Sequence, residues 1–146
     1  MNKNYSKYQQ KIIKKLLNFW QTDVGIDYNT HRHEALKNVM IVSSIEQALE
    51  HIENEEHKTP LLLATSAQRS SKAPLISYKD QSLVWTLERP VVIIFGTARG
   101  LAPALIEQCD FLLVPVEGFS DFNHLSVRSA AAIVFDRWLG LQPTLT

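Results

Sequence analysis

Apolar residues come in short runs separated by polar punctuation, and the runs differ in period. From Tyr5 to about Trp20, the positions Ile12, Ile13, Leu16, Leu17 and Trp20 recur every three or four residues. That spacing predicts a helix with one apolar face. Four later runs are shorter: Val39–Val42, Pro60–Ala64, Val91–Phe95 and Phe111–Val114. They are aliphatic, often β-branched and bounded by turn residues, which predicts buried strands. Between the first two, Ser43 or Ser44 caps a helix running to about Asn54, with Glu46 and Gln47 placed for a capping box. Further helices are expected at Ala102–Glu107 and Ser126–Leu139. Gly25–His33 and Gln68–Ser77 read as polar loops and Glu34–Asn38 as a helical turn. Tyr78–Leu87 fits a short helix or an irregular segment equally well. Alternating strands and helices predict an α/β fold with a mostly parallel sheet flanked by helices. With 146 residues there is room for one core, so a single domain over residues 1–146 is expected.

Composition narrows the class without naming a function. The chain is 45% hydrophobic and 21% charged, ordinary for a globular protein. No apolar run approaches the roughly 20 residues of a membrane-spanning helix, so no membrane partner is expected. A single cysteine, Cys109, excludes an internal disulfide framework and favours a reducing compartment. His31 and His33 lack any cysteine or helically spaced histidine beside them, so no metal site is expected. Net charge is zero, which removes a global nucleic-acid signature. The distribution is uneven, however. Lys3, Lys7, Lys11, Lys14 and Lys15 all precede the first acidic residue, Asp23. Four of them repeat every fourth position. Such a stripe is either the solvated face of the first helix or a phosphate-facing one.

Chemistry is concentrated at three strand ends. The first turn is Ala64-Thr65-Ser66-Ala67. The second is Phe95-Gly96-Thr97-Ala98-Arg99-Gly100-Leu101. The third is Val114-Pro115-Val116-Glu117-Gly118, followed by Asn123-His124-Leu125-Ser126-Val127-Arg128-Ser129 and an alanine-rich helix. Ligands of open parallel sheets bind at the carboxyl ends of strands. The second turn lacks the spacing of the dinucleotide fingerprint and the Gly-Lys-Ser/Thr ending of a P-loop, so those phosphate sites are disfavoured.

Taken together, the turns resemble those of the SPOUT superfamily of S-adenosylmethionine-dependent RNA methyltransferases. The resemblance is to a bacterial group related to the TrmD and SpoU branches, whose members carry Phe-Gly-Thr-x-x-Gly-Leu and Asn-His-Leu-Ser-Val-Arg-Ser-Ala. Here these are Phe95–Leu101 and Asn123–Ala130, and Thr65-Ser66-Ala67 fits the same group. Ala98-Arg99 stands where the group usually has Gly-Trp. Arg-Gly-Leu is similar to the SpoU ending without that branch's glutamate. Members of the group begin with a further strand and helix ahead of the region matching Lys11, so the chain is expected to be N-terminally incomplete relative to the family.

The resemblance implies a trefoil knot near the C-terminus and a bent S-adenosylmethionine held by three loops. By position those loops supply Thr65, Ser66 and Ala67; Phe95, Gly96, Thr97, Gly100 and Leu101; and Val114, Val116, Gly118 and Leu125. It implies methyl transfer to a nucleotide of tRNA or rRNA, a homodimer, and a cytoplasmic setting. Arg128 and Asn123 are the implied catalytic pair, with Arg99 as another phosphate-holding candidate and Asp121 and His124 as candidate bases. Arg128 pairing with Asp121 or Asp136 is the structural alternative. A non-catalytic or truncated knotted module is the competing function, and a flavodoxin-like nucleotide-binding domain a more distant one.

Overall fold

The computed structural model describes residues 7–69, 72–97, 99–119 and 124–140. The chain divides into two compact units, residues 1–48 and 49–146.

In the first unit, α1 (Lys7–Gln21), α2 (Asp23–Tyr28) and α3 (Thr30–Leu36) follow one another almost without a break. The stretch expected to be a polar loop from Gly25 is therefore helical. Gly25 explains the fold-back: a Cβ there would collide with the backbone of Trp20. Asn29 then caps α3, its Oδ1 accepting from Arg32 N at 2.9 Å. Phe19, Trp20 and Tyr28 meet edge to face. The Gln21 side-chain amide donates to the carbonyls of Leu36 and Val39 at 2.8 and 2.9 Å. Val39–Val42, expected to be a strand, forms none. Its apolar run satisfies the strand pattern, but no strand of the sheet pairs with it. The helix expected from Ser43 or Ser44 is present as α4 (Ile45–Glu56). Ser44 Oγ accepts from Gln47 N at 3.3 Å, and Gln47 Oε1 accepts from Ser43 N at 2.9 Å.

The second unit carries β1 (Leu61–Ala64), β2 (Leu75–Ile76), β3 (Val91–Ile94) and β4 (Phe111–Leu113) in the order β2-β4-β1-β3. Every pairing is parallel. The fourth strand is thus β2, inside the stretch expected to be a loop. Two residues are too few to show a period. They are recruited by the edge of β4, whose Leu112 N donates to Pro74 O and whose neighbour Val114 N donates to Ile76 O. The ambiguous stretch resolves into a 3₁₀ turn (Tyr78–Asp80) and α5 (Gln81–Trp85).

Alternation along the strands splits the core in two. Leu61, Leu63 and Leu113 join Ile76, Val84, Val134 and Trp138. Ala64 and Leu112 join Ala73, Ile106 and Cys109, with Leu62 packed against them. The sheet is therefore covered on both faces: by α5 and α7 (Val127–Leu139) on one, and by α6 (Pro103–Ile106) on the other. Trp138 is 1% exposed and lies against Tyr78 and Trp85. Among the described residues no helix is long and apolar enough to cross a membrane.

Candidate cofactor cavity

Parallel pairing brings the carboxyl ends of β1, β3 and β4 to one edge, and the three candidate turns leave from there. Residue 65 follows β1, 95 follows β3 and 114 follows β4. Thr65 binds the first two ends together: its N–H and its hydroxyl both donate to Ile94 O, at 3.0 and 2.8 Å.

The second turn closes tightly on itself. Gly100 N donates to Thr97 O at 2.7 Å, and Gly100 takes φ +74°. A Cβ on Gly96 would lie 2.5 Å from Gly100 C and 2.6 Å from Leu101 N. Both contacts are with backbone, which cannot swing aside. Glycine at 96 permits the close approach, and glycine at 100 permits the positive φ.

Between these turns lies a cavity of about 580 Å³. The first turn contributes Thr65, Ser66 and Ala67, and the second contributes Phe95, Gly96, Thr97 and Gly100. The third contributes Val114 and Val116 above Leu113. The start of α7 closes the remaining side with Leu125, Ser126 and Ala130. Ser126 Oγ caps that helix by accepting from Ser129 N at 3.2 Å. None of the described lining residues is a carboxylate, lysine or arginine.

Two residues expected to contact the cofactor do not line this cavity. Leu101 is packed in the core with Leu62 and Ile94, so it supports the turn from behind. Gly118 does not line the cavity, and a Cβ there would meet nothing within 4 Å. Arg128 is exposed on the first turn of α7 and forms no ion pair among the described residues, with Asp136 or otherwise. It does not line the cavity, whereas His124 does. Arg99 is exposed. Asn123 and Asp121 lie outside the described residues.

Tyr78 is a wall of the cavity that the sequence did not single out. Burial pushes its phenol above the ordinary value, and the Arg137 guanidinium, 5.3 Å from the ring centroid, acts against that. The signal was available in Ser77-Tyr78-Lys79-Asp80. Asp80 Oδ2 accepts from Ser77 N at 3.0 Å and Ser77 Oγ from Lys79 N at 3.1 Å, a capping box that turns the chain sharply after β2. Across the first and third loops, Arg69 Nη2 pairs with Glu117 Oε1 at 2.9 Å.

Comparison with known proteins bears on the family and the fold. A tRNA (guanine-N(1)-)-methyltransferase of Oleidesulfovibrio alaskensis is 39% identical over 132 residues, covering 90% of this chain and 30% of that protein. An uncharacterized protein of Aquifex aeolicus is 33% identical over 129 residues, covering 88% of this chain and 62% of its own length. The chain thus spans less than two thirds of either relative. The crystal structure of TrmJ from Z. mobilis ZM4 superposes with a TM-score of 0.61 at 16% identity, over 84% of this chain and 53% of that one. That likeness is one of fold. A family model described as SAM-dependent RNA methyltransferase matches residues 3–140. With that match spanning both compact units, the chain belongs to the family of SAM-dependent RNA methyltransferases.

Proposed function

We propose that the cavity at the ends of β1, β3 and β4 binds S-adenosylmethionine and that this chain directs its methyl group to a tRNA nucleotide. The observation carrying the reading is the convergence of the three turns on one cavity. Its volume, about 580 Å³, suits a small-molecule cofactor. The lining fits such a ligand. Leu113, Val114, Val116 and Leu125 offer apolar walls to a flat base, Thr65, Ser66 and Thr97 offer hydroxyls, and Gly96 and Gly100 keep side chains out of the second turn.

When bound, the cofactor supplies an electrophilic methyl group on a sulfonium centre. The chain's own residues orient and exclude. The apolar walls would exclude water from the bound cofactor, and the tight Thr97–Gly100 turn holds the backbone of its loop in one position. His124 is the base proposed to take a proton from the attacking atom, and its position on the lining supports that role. Arg128, exposed at the start of α7, is available to an RNA phosphate, and Asn123 is assigned the orientation of the target base. Leu101 acts from the core behind the turn, and Gly118 as a spacer in the third loop.

The remaining parts of the reading follow the family. The C-terminal third threads a trefoil knot, which the parallel sheet and the likeness to TrmJ support. Residues 1–146 act as one methyltransferase domain, which the match over residues 3–140 supports. Two copies pair, and the exposure of Phe135 and Leu139 on α7 favours such a partner. The work is cytoplasmic, with tRNA preferred over rRNA because a 39% identical relative is named for tRNA. The test is transfer of tritiated methyl from S-adenosylmethionine to unmodified tRNA and to rRNA, followed by digestion to nucleosides. Label in a tRNA nucleoside, with guanosine the first to examine, is the expected result. A folded chain that labels neither RNA contradicts the reading.

A further inference from the structure

We infer that one face of α1, formed by Lys11, Lys14 and Lys15 with Gln10 and Asn18, contacts the phosphates of the RNA, an assignment that rests on the function proposed above. Among the described residues, these five side chains of α1 line a shallow depression of about 500 Å³. Positions 11 and 15, and 10, 14 and 18, are four apart and so lie side by side, about 6 Å apart along the axis. Three ammonium groups and two carboxamides all donate hydrogen bonds, and both types serve at phosphate oxygens. Among the described residues no carboxylate shares the depression.

Clustering, more than pairing, separates this face from an ordinary solvated one, since Lys79 is likewise exposed and without an ion pair among the described residues. Lys37, Lys58 and Lys72 each have a glutamate within ion-pair distance. Among the described residues, Lys11, Lys14 and Lys15 have none and are exposed. The first 22 residues hold five lysines and no acidic residue, while the whole chain is neutral. Positive charge is thus concentrated on this helix. An anionic polymer is the complementary partner. The exposed Ile12, Ile13 and Leu16 on the same helix make an anionic lipid surface the alternative. RNA is favoured by the family match and by the two carboxamides set among the lysines.

The test is fluorescence anisotropy of the full chain with an unmodified tRNA transcript across a salt series. It compares the wild type with the triple variants Lys11→Gln/Lys14→Gln/Lys15→Gln and Lys11→Arg/Lys14→Arg/Lys15→Arg. Circular dichroism and S-adenosylhomocysteine titration check each protein. The glutamine variant is expected to lose affinity about tenfold or more, its salt slope falling by about two to three, while the arginine variant keeps both. S-adenosylhomocysteine binding stays unchanged. Unchanged RNA affinity and slope in the glutamine variant overturns the assignment and leaves the methyltransferase reading standing. A wild-type chain that binds no RNA overturns both. Binding to phosphatidylserine vesicles that the glutamine variant loses, with RNA binding intact, overturns it in favour of a membrane surface.

Discussion

Thr65 gives both its N–H and its hydroxyl to the carbonyl of Ile94, at 3.0 and 2.8 Å, so one residue ties the end of β1 to the end of β3. The cavity opens from this junction. Thr65→Val keeps the shape and the backbone bond and removes the hydroxyl. Stability is expected to fall by about 0.5–1.5 kcal/mol, the net worth of one such bond. Urea denaturation measures it, and S-adenosylhomocysteine affinity should fall with it.

Gly96 and Gly100 sit in the same turn for different reasons, and substitution separates them. At Gly100 alanine meets nothing within 4 Å, and only the φ of +74° resists it. Gly100→Ala is expected to cost about 1–2 kcal/mol. At Gly96 the new Cβ meets backbone at 2.5 Å. The turn must open, which costs about 1–3 kcal/mol or more. Cofactor binding should be lost in Gly96→Ala and retained, weakened, in Gly100→Ala. Denaturation and calorimetry on the two variants check the order.

Trp138 and Phe135 share α7 but not a role. Trp138 is 1% exposed and Phe135 44%. Trp138→Ala empties the core against Tyr78 and Trp85 and is expected to cost about 3–5 kcal/mol. Phe135→Ala loses mainly its ring contact with Phe95, 6.1 Å between centroids, worth about 0.5–1.5 kcal/mol. Thermal melts distinguish them.

Cys109 is held protonated. Burial first, and the Asp110 carboxylate second, raise its thiol above the ordinary value. Its Sγ donates to Leu105 O at 3.2 Å. Since the folded chain holds this proton more tightly than the unfolded chain, the contribution is full below the ordinary thiol range. It is lost as pH rises through and beyond that range. Stability should therefore decline at alkaline pH, and Cys109→Ala should flatten that decline. Iodoacetamide should modify the native thiol much more slowly than the unfolded one.

The strands at the site were legible because Pro60–Ala64, Val91–Phe95 and Phe111–Val114 are continuous apolar runs that a sheet covered on both faces requires. The turns were legible because close approach demands glycine at 96 and positive φ at 100. Val39–Val42 has the same apolar pattern but no pairing partner in the sheet, and pairing is not written in a single segment. Conversely, β2 is a strand because β4 offers an edge to Leu75 and Ile76. Tyr78 escaped notice for a related reason. Its place in the wall depends on β2 delivering the chain there. Leu101 belongs to the motif, yet its side chain serves the core, a distinction that only packing reveals.

If the three turns form one S-adenosylmethionine site, calorimetric titration of S-adenosylhomocysteine into the chain detects it. Ala130, on the lining at the start of α7, offers a blocking variant, Ala130→Leu, that fills the cavity without entering the turns. One ligand bound per wild-type chain is expected, with binding lost in both Ala130→Leu and Gly96→Ala and the fold of each verified by circular dichroism. A folded wild-type chain that takes up no ligand, or an Ala130→Leu chain that binds as tightly as wild type, would contradict a single site formed by the three turns.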